Sequence, residues 1–202
     1  MPSRRQALIA IAILSLALLI GAAAFFVRFP GHGPISVGEA LIGGPFSLTD
    51  HNGRRVTEKD FSGKYMLVFF GYTYCPDICP TELQVMTQAV EQMGAPGDVI
   101  QPIFVSFDPE RDTPETLKAY VENFSPRLIG LTGSEKEIAE AAKAYRVYYR
   151  KVENGGASDY LMDHSSIVYL MGPDGKFVKH FTYSTDAKAL SEALASAVSG
   201  AS

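Results

Sequence analysis

Residues 65–80 read YMLVFFGYTYCPDICP and carry the strongest structural signal in the chain. Tyr65 to Tyr72 is a continuous apolar run of strand length, which is typical of a strand buried on both faces. Cys75 and Cys79 follow within a short segment, and from Thr81 to Met93 the apolar residues recur at helical spacing. The stretch therefore predicts a buried strand, a turn and a helix with the cysteine pair at its tip.

The segments around this stretch alternate between strand and helix patterns. Upstream, Phe46–Thr57 predicts a hairpin whose turn is Asp50–Gly53. Downstream, apolar spacing and capping residues predict a buried strand at Val99–Phe107, a helix from Thr113 to about Asn123, a short strand at Leu128–Thr132, a helix from Ser134 to about Tyr145, a strand at Val147–Val152, a loop from Asn154 to His164, a hairpin over Ser165–Phe181 and a closing helix at Asp186–Val198. The order is βαβ followed by ββα, with one inserted helix. It predicts an α/β thioredoxin-like fold with an N-terminal β-hairpin extension.

The overall composition is that of a globular protein, because 47% of the 202 residues are apolar and 20% are charged. Three of the 18 basic residues, Arg4, Arg5 and Arg28, flank an apolar segment near the N-terminus. The part beyond Gly31 therefore holds 15 basic and 22 acidic residues, a net charge of −7. A domain this acidic is poorly suited to bind nucleic acid by counterion release. We predict small-molecule, metal or protein partners, and no nucleic acid.

The apolar segment is predicted to anchor the protein in a membrane. Residues 7–27 contain no charge and are interrupted only by Ser15 and Gly21. About 20 such residues cross a bilayer core of ~30 Å, whereas the apolar core of a cleaved signal peptide usually has only ~7–15 residues. The small residues Ala22–Ala24 keep a cleaved signal peptide as the alternative. We predict one transmembrane helix at residues 7–27.

The charges beside this segment predict its orientation. Arg4 and Arg5 precede it, so the positive-inside rule places residues 1–6 in the cytoplasm and exports the rest. Residues 28–42, rich in Pro and Gly, are predicted to be a linker, and residues 43–202 a single folded domain. A bacterial inner membrane with the domain in the periplasm fits this arrangement.

Cys75 and Cys79 are the only cysteines, and a close pair of this kind indicates redox or metal chemistry. Backbone N–H groups and the helix dipole at a helix N-terminus lower a thiol pKa and favour the thiolate. Three intervening residues place the two sulfurs about one helical turn apart, on the same face. Two such thiolates suit Cu(I), although Zn²⁺ accepts the same ligands and a disulfide between them stays open.

The third ligand is predicted from topology. In a thioredoxin fold, the residue that enters the terminal hairpin lies beside the tip of the active-site helix, and here that junction reads Asp163-His164-Ser165. We therefore predict that the imidazole of His164 faces both sulfurs. Asp77, between the cysteines, and Asp163 are candidates to tune the site from just outside it. His32, His51 and His180 are expected to face solvent, and Met162 to pack in the interior.

Three stretches resemble the signatures of the Sco/SenC family of cytochrome c oxidase assembly factors. They are FFGYTYCPDICP at 69–80, VSFDPERDTP at 105–114 and DHS at 163–165. The likeness extends from about Gly43 to the end of the chain. It implies one copper ion per chain, Cu(I) or Cu(II), bound by Cys75, Cys79 and His164. It also implies copper delivery, or thiol maintenance, at the dinuclear copper centre of cytochrome c oxidase subunit II, with an upstream chaperone as copper donor.

Two functions remain open. The first is a metallochaperone, which needs no catalytic residue and in which the loop from Asn154 to Met162 swings His164 on and off the metal. The second is a thiol–disulfide oxidoreductase in which Cys75 attacks a partner's disulfide and Cys79 resolves the intermediate. A peroxidase is disfavoured because Tyr72, and not Thr, stands three residues before Cys75. The 108–114 stretch is explained by helix capping, and no site is assigned to it.

Overall fold

The computed structural model describes residues 42–153 and 160–200, together with residues 15, 16, 18 and 19. The strands in these ranges are β1 (Ser47–Asp50), β2 (Arg55–Thr57), β3 (Tyr65–Gly71), β4 (Ile100–Ser106), β5 (Ile129–Thr132), β6 (Tyr149–Glu153), β7 (Tyr160–His164), β8 (Ile167–Met171) and β9 (Phe177–Thr182). The α-helices are α1 (Ile78–Gln92), α2 (Pro114–Val121), α3 (Glu135–Ala144) and α4 (Ala187–Ser199), with short 3₁₀ helices at Glu58–Phe61 and Ala95–Val99.

Strand β3 is an interior strand of a seven-stranded sheet whose order is β2-β1-β5-β4-β3-β8-β9. All seven of its residues are buried, as the continuous apolar run predicts. β3 pairs parallel with β4 and antiparallel with β8, and β8 pairs with β9 as the terminal hairpin. The predicted thioredoxin-like order is confirmed. The β1–β2 hairpin extends the sheet beyond β5, to which β1 pairs antiparallel.

The predicted starts of α2 and α3 are confirmed by their caps. The Thr113 hydroxyl accepts a hydrogen bond from the backbone N–H of Thr116, with proline in the first turn of α2. Ser134 forms a reciprocal capping box with Glu137 at the start of α3. Helix α1 begins earlier than its apolar spacing predicts, at Ile78, so that Cys79 lies in its first turn.

One element differs from the prediction. The segment predicted as a loop from Asn154 to His164 ends in a strand, β7, which pairs antiparallel with β6 in a separate two-stranded ribbon. The alternation along β7 is weak, because exposed Leu161 stands where a polar residue would be expected. The swinging loop was predicted over 154–162; residues 154–159 lie outside the described residues.

The predicted cytoplasmic segment at residues 1–6 lies outside the described residues, as do nearly all of the anchor at 7–27 and the linker at 28–42. Within the part of the chain that the structure describes, no helix is both long enough and apolar enough to cross a bilayer. The chain divides into two compact units, residues 1–39 and residues 40–202. The second unit contains the sheet and the four helices.

Candidate metal centre

The structure brings Cys75, Cys79 and His164 together. Cys75 stands just before α1, Cys79 lies in its first turn, and His164 is the last residue of β7. Their Sγ and ring nitrogen atoms all lie within 4.8 Å of one another, and Cys79 Sγ is 3.8 Å from His164 Nε2. A metal–sulfur bond is ~2.3 Å long, so three donors this close can share one ion after small adjustments.

The orientation of the His164 ring is set by its other nitrogen. His164 Nδ1 lies 3.1 Å from the carbonyl oxygen of Ser165, and a carbonyl can only accept, so Nδ1 carries the hydrogen. This contact leaves the Nε2 lone pair on the side of Cys79, which is the tautomer a metal ligand needs. The rings of Phe107, Tyr72 and Phe69 surround the imidazole, with centroids 5.0, 6.1 and 6.4 Å away.

The two cysteines differ in their pKa. Donation from the Cys79 thiol, together with the backbone N–H groups of Asp77 and Cys79, outweighs burial and lowers the pKa of Cys75 to about 3. The same hydrogen bond, followed by burial, raises the pKa of Cys79. Cys75 is therefore a thiolate at neutral pH, and Cys79 is the thiol that donates to it. Cys79 is fully buried, whereas Cys75 is partly exposed.

Gly71 makes room for the Cys79 sulfur. A Cβ at this position would lie 2.8 Å from Cys79 Sγ and 2.8 Å from the Phe104 ring. Real Cβ atoms essentially never approach neighbours this closely, so a side chain here must displace the sulfur or the ring. The last residue of β3 is thus part of the site, although the sequence analysis did not assign it there.

Replacing Gly71 with alanine is expected to lower the free energy of unfolding by about 1–3 kcal/mol, because the added methyl overpacks the core. It should also weaken metal binding, because Cys79 Sγ must move. The control is Gly130→Ala in β5, whose methyl would lie 3.0 Å from Val121 and 3.3 Å from Leu117 of α2. Urea denaturation and metal titration of both variants check this expectation. Equal metal affinity in the two variants would contradict it.

The turn after β4 also supports the cysteine loop. Asp112 is fully buried and accepts hydrogen bonds from the backbone N–H of Thr73, at 3.0 Å, and from the hydroxyls of Thr73 and Ser106. Burial raises the pKa of Asp112 despite these donors. The Thr113 cap that the sequence predicted at this turn is present. Nothing in the sequence indicated that Asp112 points inward towards a loop 39 residues earlier.

The other candidate residues lie outside the cluster of donor atoms. Asp77 is exposed, and its backbone N–H helps to lower the pKa of Cys75. Asp163 is exposed, alternates with His164 on β7, and lies 3.9 Å from Arg150. Met162 is buried, as predicted.

The remaining histidines are separate from the site. His51 was expected to face solvent; it is half-buried, and its Nδ1 accepts a hydrogen bond from the Gly130 N–H at 3.0 Å, so it faces solvent only in part. His180 is exposed on β9. His32 lies outside the described residues.

Comparison with known proteins finds relatives and a family model that match most of the chain. A family model described as SCO1/SenC matches residues 36–199. The human mitochondrial SCO1 homolog is 48% identical over 147 residues, which cover 72% of this chain and 49% of that protein. An SCO2-like protein of Rickettsia felis is 39% identical over 193 residues, covering 90% of this chain and 94% of its own length. The chain thus spans about half the length of the human relative.

A solved structure shows the same architecture. The crystal structure of Arabidopsis thaliana ScoI with copper bound superimposes with a TM-score of 0.75 at 46% identity. The match covers 79% of this chain and 99% of that one. The family model spans four-fifths of the sequence and includes Cys75, Cys79 and His164. The chain belongs to the SCO1/SenC family.

Proposed function

We propose that this protein is a copper chaperone that binds one copper ion per chain through Cys75, Cys79 and His164. The observation that carries the proposal is the convergence of two sulfurs and one imidazole nitrogen within 4.8 Å. Thiolate and imidazole donors suit copper, and the Arabidopsis relative has been solved with copper bound. Zinc accepts the same donor types, so the choice of copper rests on the relatives.

The protonation of the pair suggests how the ion is taken up. Cys75 offers a thiolate directly, whereas Cys79 must lose its proton when the metal binds, so uptake releases about one proton. Cys79, which is buried, and His164, which packs among aromatic rings, hold the ion on the side of the domain interior. A partner's ligand can approach on the side of Cys75, which is a partly exposed residue, whereas Cys79 is buried. Transfer then proceeds by exchange of one ligand at a time, without a catalytic acid or base.

The partner that we propose is cytochrome c oxidase subunit II, at its dinuclear copper centre, with an upstream chaperone supplying the copper. Family membership and the acidic domain, which disfavours nucleic acid, support a protein partner. We further propose that residues 7–27 anchor the chain in a bacterial inner membrane with the domain in the periplasm. The 39%-identical Rickettsia relative and the uncharged apolar run support this location.

A transfer experiment tests the proposed function. The full-length, detergent-solubilised chain is loaded with one Cu(I), mixed with the copper-free soluble domain of subunit II, and separated from it again. We expect copper to move to the subunit II domain, and the Cys75→Ala chain to deliver none above free Cu(I). If the wild-type chain holds no copper more tightly than Cys75→Ala, the chaperone function is excluded.

The alternative function is a thiol–disulfide oxidoreductase, which the Cys75 thiolate beside the Cys79 thiol favours. Cys75 would attack one sulfur of a partner's disulfide and release the other as a thiolate. Cys79, once deprotonated, would then attack the Cys75 sulfur of this mixed disulfide and release the partner's second sulfur as a thiolate, so that two electrons pass to the partner and a Cys75–Cys79 disulfide forms. Two results together would favour this function over the first. The metal-free chain would reduce the oxidised subunit II domain stoichiometrically, and the copper-loaded chain would deliver no copper in the transfer assay.

A further inference from the structure

His164 belongs to a part of the fold that has little stability of its own. It ends the β6–β7 ribbon, whose two strands pair with each other and not with the seven-stranded sheet. An isolated two-stranded hairpin is only marginally stable in water. The position of His164 over the sulfurs therefore depends on side-chain contacts between the ribbon and the rest of the domain.

The far end of the ribbon is fastened by Arg111. Its Nη1 donates to the carbonyl oxygen of Tyr160 at 3.0 Å, and its guanidinium carbon lies 3.7 Å from the centroid of the Tyr160 ring. Arg111 Nε is itself held by the carboxylate of Asp108, whose side chain is fully buried. The Tyr160 hydroxyl donates to the same carboxylate. Tyr160, the first residue of β7, is thus held by contacts to its backbone carbonyl, its ring face and its hydroxyl.

The same guanidinium also meets the loop that carries the cysteines. It lies 4.7 Å from the Tyr74 ring centroid and 5.8 Å from that of Tyr72. The Tyr72 hydroxyl accepts a hydrogen bond from the Met162 N–H at 3.2 Å, two residues before His164. Arg111 therefore stands between the two halves of the site. A lysine could keep the charge but not the planar fork or the stacking.

We propose that Arg111 is a positioning residue that holds His164 over the two sulfurs. The inference rests on the proposed function, because its main readout is metal binding. Tyr160, Met162 and His164 share one face of β7, so fixing Tyr160 fixes the register and tilt of the strand that presents the imidazole. The cysteine pair is carried separately by α1 and its preceding loop. Replacing Arg111 with lysine keeps a cation near Tyr74 but loses the planar fork that binds Tyr160, so the histidine ligand is affected more than the cysteine pair.

The test compares full-length wild type with Arg111→Lys, His164→Ala and the double variant, in competition titrations with Cu(II) and with Cu(I). Cu(II) affinity of Arg111→Lys is expected to fall by about 10–100-fold, as with other residues that orient a ligand, and that of His164→Ala by at least as much. The double variant should match His164→Ala within about twofold, the usual error of additivity. Cu(I) affinity of Arg111→Lys should fall by less than its Cu(II) affinity, because the two soft sulfur ligands contribute most to Cu(I) binding. The control is Arg150→Met, which removes an exposed charge from the same ribbon.

Either of two copper-binding results would overturn the inference: Cu(II) affinity of Arg111→Lys equal to that of Arg150→Met, or a double variant that loses the product of the two single effects. Hydrogen exchange on the metal-free proteins provides a readout independent of copper. The β7 amides of Arg111→Lys should exchange faster than those of Arg150→Met, with the β3 amides unchanged; equal β7 rates also overturn it. Absence of copper binding in wild type would count against the proposed function and leave this exchange test in force. If Arg111→Lys does not fold, Tyr160→Leu replaces it under the same criteria.

Discussion

Cys75→Ala is expected to lose about 2.5–4 kcal/mol of Cu(I) binding free energy, which is roughly a hundredfold to a thousandfold in affinity. The estimate takes one ligand's share of the ~10–16 kcal/mol that a structural four-ligand zinc site contributes. The loss is large because Cys75 is the thiolate of the pair, and the remaining thiol, Cys79, is buried and protonated. Competition with a Cu(I) chelator of known affinity, on the reduced full-length chain, measures it.

The matched control for this prediction is Met162→Leu. It removes a buried sulfur two residues from His164 while keeping the side chain apolar and of similar size. We expect Cu(I) affinity of this variant to remain at the wild-type value. Loss of affinity in Met162→Leu comparable with that in Cys75→Ala would show that the thioether belongs to the site. If the Cu(I) affinity of Cys75→Ala equals that of the wild type, the two cysteines do not form the copper site.

The pH dependence of Cys75 reactivity is the second prediction with a large effect. In the wild type, the alkylation rate of Cys75 by iodoacetamide should be nearly constant between about pH 5 and 8, since a thiol with a pKa of about 3 is already ionised there. Cys79→Ala removes the largest cause of this lowering, so the Cys75 pKa rises. At pH 6 the rate should then fall steeply, by up to about 300-fold if the pKa returns to ~8.5.

Cys79→Ser is the control, because its hydroxyl can still donate a hydrogen bond to the Cys75 thiolate. Its alkylation profile should stay close to the wild-type profile. The midpoint should move to higher pH by less than the midpoint of Cys79→Ala does. Rates of mass-detected alkylation at a series of pH values give both profiles, with Cys75 as the only cysteine in each variant. Superimposable profiles for the alanine and serine variants would refute the hydrogen bond as the cause of the lowered pKa.

Much of the domain was predictable because its signals are local. The buried run before Cys75 is explained by β3, and the caps at Thr113 and Ser134 start α2 and α3 where predicted. The strand at Tyr160 was missed because its pattern is weak and its partner is another short strand. Its pairing depends on contacts with the 108–112 turn, about fifty residues earlier in the chain.

Composition and spacing alone determined that one close cysteine pair stands between a buried strand and a helix, within an acidic domain. These features follow from hydrophobic periodicity and helix geometry, which act over a few residues. The distance from His164 to the sulfurs, the space that Gly71 leaves for Cys79, and the inward orientation of Arg111 and Asp112 all depend on packing between segments far apart in sequence. Close packing makes each of these positions depend on its neighbours, so they become visible only in the folded domain.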